Sequence, residues 1–165
     1  MSMSLAKNKE RVDSLRTTIE NFRRKGLAAD VRCLNAMQEL DLLTSGGLEF
    51  QKSFTAIKAV ARARKFISYG QVAAASGISW AKARRPMNTH LDELCLWAYA
   101  KGWPLITSVV VERDHLENGL LGEAALAGFL SAARRCGIVV GQAEEEFLKD
   151  QQEQTFVWAA QEISL

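Results

Sequence analysis

Hydrophobic side chains recur at intervals of three and four near the start of the chain, which is the spacing of a helix with one buried face. The segment Leu5–Lys25 shows this spacing most clearly, through Val12, Leu15, Ile19 and Phe22. We therefore predict an amphipathic helix here, with Gly26 as a residue that can close it.

A second helix is predicted over Ala28–Leu43, after a short connection that suits an antiparallel hairpin. Such a hairpin would pack on the rest of the protein or serve as a dimerisation arm. The apolar side of this second helix is predicted to contain Val31, Leu34, Met37 or Gln38, and Leu42.

A third helix is predicted over Leu48–Lys65, where apolar and basic positions alternate with helical spacing. Its inward residues are expected to be Phe50, Phe54 and Ile57, and its shared outer face Lys58, Arg62 and Lys65.

The next stretch has the pattern of two short helices joined by a tight turn. Ser68 can cap the helix Tyr69–Ala75, and Gln71 stands at the third helical position, as in a capping box. Gly77 is suited to the turn because glycine adopts positive φ at little cost, and Ser79 is a suitable N-cap for the helix that follows. This pattern predicts a helix-turn-helix, in which the second helix usually contacts nucleic acid.

Pro86 predicts a kink or a short break after this second helix, because proline lacks the backbone N–H and clashes with the preceding turn. Beyond the break the chain is predicted to contain a helix Leu91–Lys101 capped by Asn88 or Thr89, a strand Leu105–Glu112, a helix Gly122–Cys136, a short second strand Gly137–Gly141 and a last helix Glu144–Glu162.

These elements together predict a mainly α fold with a small β element. The Ser45–Gly47 sequence interrupts the helical pattern and is the one candidate hinge. We accordingly predict a helical hairpin in residues 1–45 and a helix-turn-helix or winged-helix-like domain with a C-terminal helix in residues 48–165.

Charge is unevenly distributed along the 165 residues, although the net charge is only +2. Residues 52–85 carry eight positive charges and no Asp or Glu, whereas residues 144–162 carry six acidic residues against one lysine. Positive charge concentrated beside a helix-turn-helix is expected of a protein that binds phosphates. Solvated helix faces would give the same charge pattern without such binding.

The candidate contacts to nucleic acid follow from this overlap of charge and helical pattern. Lys82, Arg84 and Arg85 on the second helix would contact phosphates or a groove, supported by Trp80, Tyr69, Lys65 and Arg62. Trp80 has two interpretations, because its ring could stack on a base beside Arg84 or anchor the core of the two-helix unit.

Three segments resemble the C-terminal domain of the DNA alkyltransferase and alkyltransferase-like family. They read ISYGQVAAASG, WPLITSVVVERD and GLLGEAALAGFLSAARRCG, and they lie within Ile67–Gly137. The matching positions are Ser68, Tyr69, Gly70, Val72, Ala73 and Gly77. The resemblance implies a winged-helix-type module that binds the minor groove of DNA. It also implies that Arg84 or Arg85 stands where the family's recognition-helix arginine replaces an extruded base.

The family's reactive Pro-Cys-His-Arg run is missing from this chain. Its four positions are occupied by Ile106, Thr107, Ser108 and Val109. No thiol is present there to accept an alkyl group, and no histidine stands beside it to favour a thiolate. The sequence therefore does not predict an alkyltransferase.

Other chemistry finds little support in the sequence. Cys33, Cys95 and Cys136 are far apart and are expected to be reduced thiols of a cytoplasmic protein. His90 and His115 lack the spacing of metal ligands, and Ser108 lacks the surroundings of a hydrolase nucleophile, so we expect a structural serine. No apolar run is long enough to cross a membrane, no secretory signal is visible, and no cofactor or metal is expected.

We therefore expect a non-catalytic nucleic-acid-binding protein, with duplex DNA as the first candidate ligand. The alternative is a protein-interaction module, such as a subunit of a nucleoprotein complex, a small phage-borne or plasmid-borne inhibitor of one, or a homodimer.

Overall fold

The computed structural model describes residues 2–161, and the side chains of residues 5–161. The helices and strands follow one another as α1 (Ser2–Arg24), α2 (Val31–Thr44), α3 (Phe50–Arg62), β1 (Ile67–Ser68), α4 (Tyr69–Ala75), α5 (Trp80–Ala83), α6 (Met87–Ala100), β2 (Val110–Val111), α7 (Glu123–Arg135) and α8 (Glu144–Gln161). Short 3₁₀ turns cover Ile106–Val109 and Arg113–His115. The mainly α class with a small β element is confirmed. Glu162, which we predicted to end the last helix, lies outside the described residues.

The first two helices form an antiparallel pair. Arg11, early in α1, donates two hydrogen bonds of 2.7 and 2.6 Å to the carboxylate of Glu39, late in α2. Leu15 and Ile19 are buried, as the spacing in α1 predicted.

The predicted apolar face of α2 is wrong in part. Val31 is 65% exposed and Leu42 is 48% exposed, whereas Cys33, Ala36 and Asp41 are buried with Met37. Asp41 is favoured inside because it has a specific partner there, which hydrophobic periodicity cannot indicate.

A buried polar chain connects the hairpin to the rest of the core. His90 on α6 lies 2.6 Å from Asp41 on α2 through Nδ1, and 2.8 Å from Ser53 on α3 through Nε2. A carboxylate can only accept, so Nδ1–H donates to Asp41 and Nε2 accepts from the Ser53 hydroxyl when the ring is neutral. Burial raises the pKa of Asp41, and the hydrogen bond with His90 offsets part of that rise. All three side chains are buried, so the chain fixes how α2, α3 and α6 pack.

Aromatic rings fill the space beside this polar chain. The ring of Trp97 lies 5.3 Å from that of Phe50, 5.8 Å from Phe54 and 5.6 Å from Trp103, centroid to centroid. Buried residues of α1 and α2 belong to the same core as those of α3, α4 and α6.

The predicted strand Leu105–Glu112 is mostly a different structure. Only Val110–Val111 forms a strand, pairing in parallel with Ile67–Ser68, and Ile106–Val109 is a 3₁₀ turn. The partner strand is two residues long, so the rest of the run has no ladder to join.

Polar side chains of α8 provide the hydrogen bonds that a longer ladder would have supplied. The Leu105 N–H donates to Gln151 Oε1 at 3.1 Å, and Gln152 Nε2 donates to the carbonyls of Ser108 and Gly119 at 3.0 and 2.8 Å. Gln151 and Gln152 are buried for this reason, although glutamine is usually exposed.

Two further boundaries differ from prediction. Helix α6 begins at Met87 and not at Leu91, with Pro86 as its N-cap residue, because proline is tolerated at a helix start. Residues 137–141 form no strand, and the N–H groups of Gly137 and Ile138 donate instead to the carbonyls of Arg134 and Ala133 at the end of α7.

Gly119 is required by close packing. Its φ is +69°, and a Cβ atom there would overlap the ring of Phe66. Phe66 precedes β1 and packs edge-on against Phe156 of α8, with ring centroids 5.6 Å apart.

Within the described part of the chain, no helix combines the length and the apolar character needed to cross a lipid bilayer.

The polar chain through His90 leads to a stability prediction. Replacing Asp41 with alanine leaves the buried Nδ1–H of His90 without its acceptor, which should cost about 1–3 kcal/mol of unfolding free energy. Urea denaturation followed by far-ultraviolet circular dichroism measures this change. The control is Asp13→Ala, which removes an exposed aspartate from α1 and should alter stability by less than about 0.5 kcal/mol. Equal stability of the two variants would contradict a structural role for the chain.

Candidate nucleic-acid interface

Strand β1 leads directly into the two short helices. Ser68 Oγ accepts from the Gln71 N–H at 3.2 Å, and Gln71 Oε1 accepts from the Ser68 N–H at 2.9 Å, so the predicted capping box is confirmed. Gly77 adopts φ +73° in the turn that follows α4, as predicted. Val72 and Ala73 are buried and attach α4 to the core.

The second helix is shorter than predicted and does not include Arg84 or Arg85. Helix α5 covers only Trp80–Ala83, and Arg84, Arg85 and Pro86 form a turn before α6. Ser79 is its N-cap by position, but its side chain makes no capping hydrogen bond, unlike the prediction. The break that Pro86 predicted is confirmed.

This turn keeps much of the helical path. Arg84 and Pro86 both have right-handed helical dihedral angles, with φ and ψ of −53° and −44° for Arg84. Side chains four residues apart therefore line one side of a cleft, namely Trp80, Arg84, Asn88 and Asp92.

The cleft has a volume of about 410 Å³ and separates this row from α7. Small side chains of α7, including Ala124 and Gly128, form the opposite wall. Tyr69 and Glu112 contribute polar groups to the lining. Burial, followed by the nearby charge of Glu112, raises the pKa of Tyr69.

Asp92, a further member of the row, is half-buried in α6. Burial raises the pKa of its carboxyl, and the positive charge of Arg135 offsets part of the rise. The lining thus combines an exposed cation, Arg84, with carboxylates at Asp92 and Glu112.

The three central cations are all exposed. Lys82, Arg84 and Arg85 make no ion pair with any described residue, and none of them contacts the acidic side chains of α8 in the described part of the chain. Arg84 lines the cleft, whereas Lys82 and Arg85 do not. The positive charge therefore continues from the edge of the cleft onto the outer surface.

Trp80 is not a core residue. It is 44% exposed, compared with 2% for Trp97 and 9% for Trp158. Of its two sequence interpretations, a buried anchor is excluded by this exposure, and the ring is available to a ligand.

The basic residues of α3 do not continue this surface as predicted. Lys58 Nζ lies 5.6 Å from the ring centroid of Trp158, and Arg62 Nε donates to the Ala159 carbonyl of α8 at 3.4 Å. Their face packs on α8, so Arg62 is already engaged within the protein. Lys65, beyond the end of α3, is exposed.

Arg64 closes α3 in an unusual conformation. Its φ is +56°, the left-handed region that glycine usually occupies at a helix end. Its guanidinium is 2.5 Å from Glu153 on α8 and lies 5.0 Å from the ring centroid of Phe156. The acidic helix therefore neutralises part of the basic stretch at this point.

Sequence reasoning missed the residues that complete the cleft. Asn88, Asp92 and Glu112 were not among the predicted contacts. The regular interval of four from Trp80 through Arg84 to Asn88 and Asp92 was a usable signal, but the interruption predicted at Pro86 obscured it.

Comparisons of the chain with protein-family models, with curated proteins and with solved structures found no significant match. The resemblance to the alkyltransferase and alkyltransferase-like family stays a prediction. Thr107, which the predicted resemblance would align with that family's reactive cysteine, is 8% exposed and lines the cleft.

The exposure of Trp80 can be tested by fluorescence. Trp80→Phe should remove most of the acrylamide-accessible tryptophan emission, because the other indole rings are packed in the core. Trp103→Phe, which removes a half-buried ring of the aromatic core, is the matched control and should leave that emission. Unchanged quenching in Trp80→Phe would show that the ring is covered in solution.

The left-handed residue at the end of α3 gives a separate prediction. Arg64→Ala loses the contacts with α8 but keeps the strained backbone, whereas Arg64→Gly loses the same contacts and relieves the strain. The glycine variant should be more stable by about 1 kcal/mol, the usual cost of a side chain in this region. Thermal unfolding of the two variants measures the difference, and an alanine variant of equal or greater stability would contradict it.

Proposed function

We propose that this protein is a non-catalytic nucleic-acid-binding protein that contacts duplex DNA through a helix-turn-helix formed by α4 and α5. One observation carries the proposal: Lys82, Arg84 and Arg85 are exposed beside Trp80 and have no ion-pair partner among the described residues. Cations without internal partners are available to neutralise phosphates, and this releases the counterions that are condensed on the nucleic acid.

The members of this set would have different contacts. Lys82 and Arg85 on the outer surface suit phosphate oxygens, which fix position without reading sequence. Arg84 and Trp80 at the edge of the cleft suit the sugar and base side of a strand, where an aromatic ring can stack. Lys65 and the Tyr69 hydroxyl would add support. We do not include Arg62 among the proposed contacts, because its guanidinium donates a hydrogen bond to the Ala159 carbonyl of α8.

The chemistry of the cleft supports binding without catalysis. If the resemblance to the alkyltransferase family holds, Thr107 has a hydroxyl where that family uses a thiolate. A threonine hydroxyl is a much weaker nucleophile than a thiolate at neutral pH. Ser108 is buried with its Oγ 3.3 Å from Thr155 Oγ1, which supports the structural interpretation of this serine. The chain of Asp41, His90 and Ser53 has the connectivity of a hydrolytic triad, but all three side chains are buried.

The winged-helix part of the prediction has less support. The small sheet is a parallel pair of two-residue strands and therefore does not have the form of a β-hairpin. The proposed contacts accordingly depend on the helix-turn-helix and not on a wing. A cytoplasmic location is part of the proposal, since the three cysteines are free thiols.

A mobility-shift series with duplex DNA, single-stranded DNA and RNA tests the ligand class. The triple variant Lys82→Glu/Arg84→Glu/Arg85→Glu should bind duplex DNA at least about tenfold more weakly than the parent. Its plot of log affinity against log salt should flatten by about 0.9 for each phosphate contact removed.

The matched control is Lys7→Glu/Lys9→Glu/Lys25→Glu, which changes net charge equally at exposed positions of the hairpin. This control should lose much less affinity than the first variant. Equal loss in both triple variants would reduce the effect to overall charge and would contradict a localised interface.

The alternative is a protein-interaction module, and the exposed apolar residues of α2 favour it. Val31 and Leu42 lie on the outer side of the hairpin, where a partner or a second copy could cover them. A stoichiometric protein partner recovered from nuclease-treated lysate, together with no DNA affinity at low salt, would favour this alternative.

A further inference from the structure

Two cysteines that are 41 positions apart in the sequence meet in the fold. Cys95 lies in the middle of α6, and Cys136 is the C-cap residue of α7. Cys136 packs against the small core that contains Cys95, and each thiol shifts the pKa of the other, which places the two thiols close together. Both belong to the smaller hydrophobic core beneath the cleft, together with Leu105 and Leu130.

An ion pair connects the middle of α6 with the C-terminal end of α7. Arg135 Nη2 donates to Glu93 Oε1 at 3.0 Å; Arg135 is adjacent to Cys136, and Glu93 lies two residues before Cys95. The proximity of the two cysteines is therefore part of the packing of α6 on α7. A disulfide needs Cβ atoms about 3.5–4.5 Å apart, so the proposed bond requires α6 and α7 to hold the two cysteines at about this separation.

The two thiols have different surroundings. Cys95 is completely buried and Cys136 is half-buried, so an oxidant from solvent reaches Cys136 first. The hydrogen bond with Cys95 lowers the pKa of Cys136, and the positive charges of Arg135 and Arg23 lower it further against the opposing effect of burial. The same hydrogen bond, followed by burial, raises the pKa of Cys95.

We propose that Cys95 and Cys136 form an oxidisable pair that hydrogen peroxide converts into an intramolecular disulfide. The Cys136 thiolate attacks one peroxide oxygen, the O–O bond breaks, and the departing hydroxide takes up a proton to become water. The sulfenic acid on Cys136 is then attacked by the Cys95 sulfur, which gives up its proton as the S–O bond breaks and a second water leaves. The two thiols lose two electrons and two protons, and the peroxide is reduced to two waters.

The new bond would join the two walls of the cleft. Helix α6 contributes Asn88 and Asp92 to one wall, and α7 contributes Ala124 and Gly128 to the other. Thr107 also lines the cleft. The proposed oxidation depends only on the proximity of the two thiols and is independent of DNA binding.

The experiment treats the full-length native protein with hydrogen peroxide and then alkylates remaining thiols with N-ethylmaleimide after denaturation. Intact mass before alkylation should fall by about 2 Da, as expected for one disulfide. The number of alkylated cysteines should fall from the three free thiols to one, and a peptide map should show Cys95 linked to Cys136. Dithiothreitol should reverse all of these changes.

Cys33 is the internal control. It is completely buried on α2, and burial raises the pKa of its thiol, so it should remain reduced and be the one cysteine that is alkylated. The variant Cys95→Ser removes the second thiol, and dimedone should then trap a sulfenic acid on Cys136. The variant Cys136→Ser should show no loss of 2 Da under the same treatment.

The wild-type measurement decides the proposal even if a variant does not fold. A Cys136 that advances to sulfinic acid while Cys95 stays a thiol would overturn the inference. A disulfide that contains Cys33, or one that joins two molecules, would overturn it as well.

Discussion

The hydrogen bonds that α8 makes with the segment after α6 support the whole arrangement around the cleft. Gln151, Gln152 and Thr155 lie on the buried side of α8 and serve backbone groups of Leu105, Ser108 and Gly119. A buried carbonyl or N–H without a partner is costly, so these contacts make a 3₁₀ turn tolerable inside the core. The turn delivers β2 to its pairing with β1, and β1 carries the capped start of α4. The two-helix unit thus depends on polar side chains of α8, a helix that does not belong to that unit.

Helix α8 distinguishes two groups of cations in the basic stretch of residues 52–85. Where α3 meets α8, cations are used internally: Arg64 pairs with Glu153, and Arg62 reaches a backbone carbonyl. The cations of α5 and the following turn are exposed and make no ion pair with the described residues of α8. Charge counted along the sequence therefore overstates the surface available to a polyanion. Tertiary contacts decide which positive residues are available to bind a polyanion.

The helices and the start of the two-helix unit could be predicted because local rules determine them. Helical spacing in α1 and α3, the Ser68–Gln71 capping box, and the glycine turn at Gly77 depend on residues close in sequence. The features that could not be predicted involve residues that are far apart in the sequence. The polar partners of His90, the engagement of Arg62 by α8, and the contact of Cys95 with Cys136 exist only after the chain has folded. The strand prediction over Leu105–Glu112 failed for a related reason, since β-branched composition reports burial but not whether a neighbouring strand is long enough to pair.

The contact between Gly119 and Phe66 has a consequence for how loss-of-binding variants are interpreted. Any larger residue at position 119 would displace the ring of Phe66, which packs on α8. Phe66 directly precedes β1, so the displacement would also affect Tyr69 and the helices that follow it. Position 119 is not among the residues that line the cleft. A screen for variants that fail to bind nucleic acid would therefore find this loop alongside the residues that we propose as contacts. Variants that disturb folding can be separated from variants that remove a contact only if the amount of folded protein is measured for each defective variant.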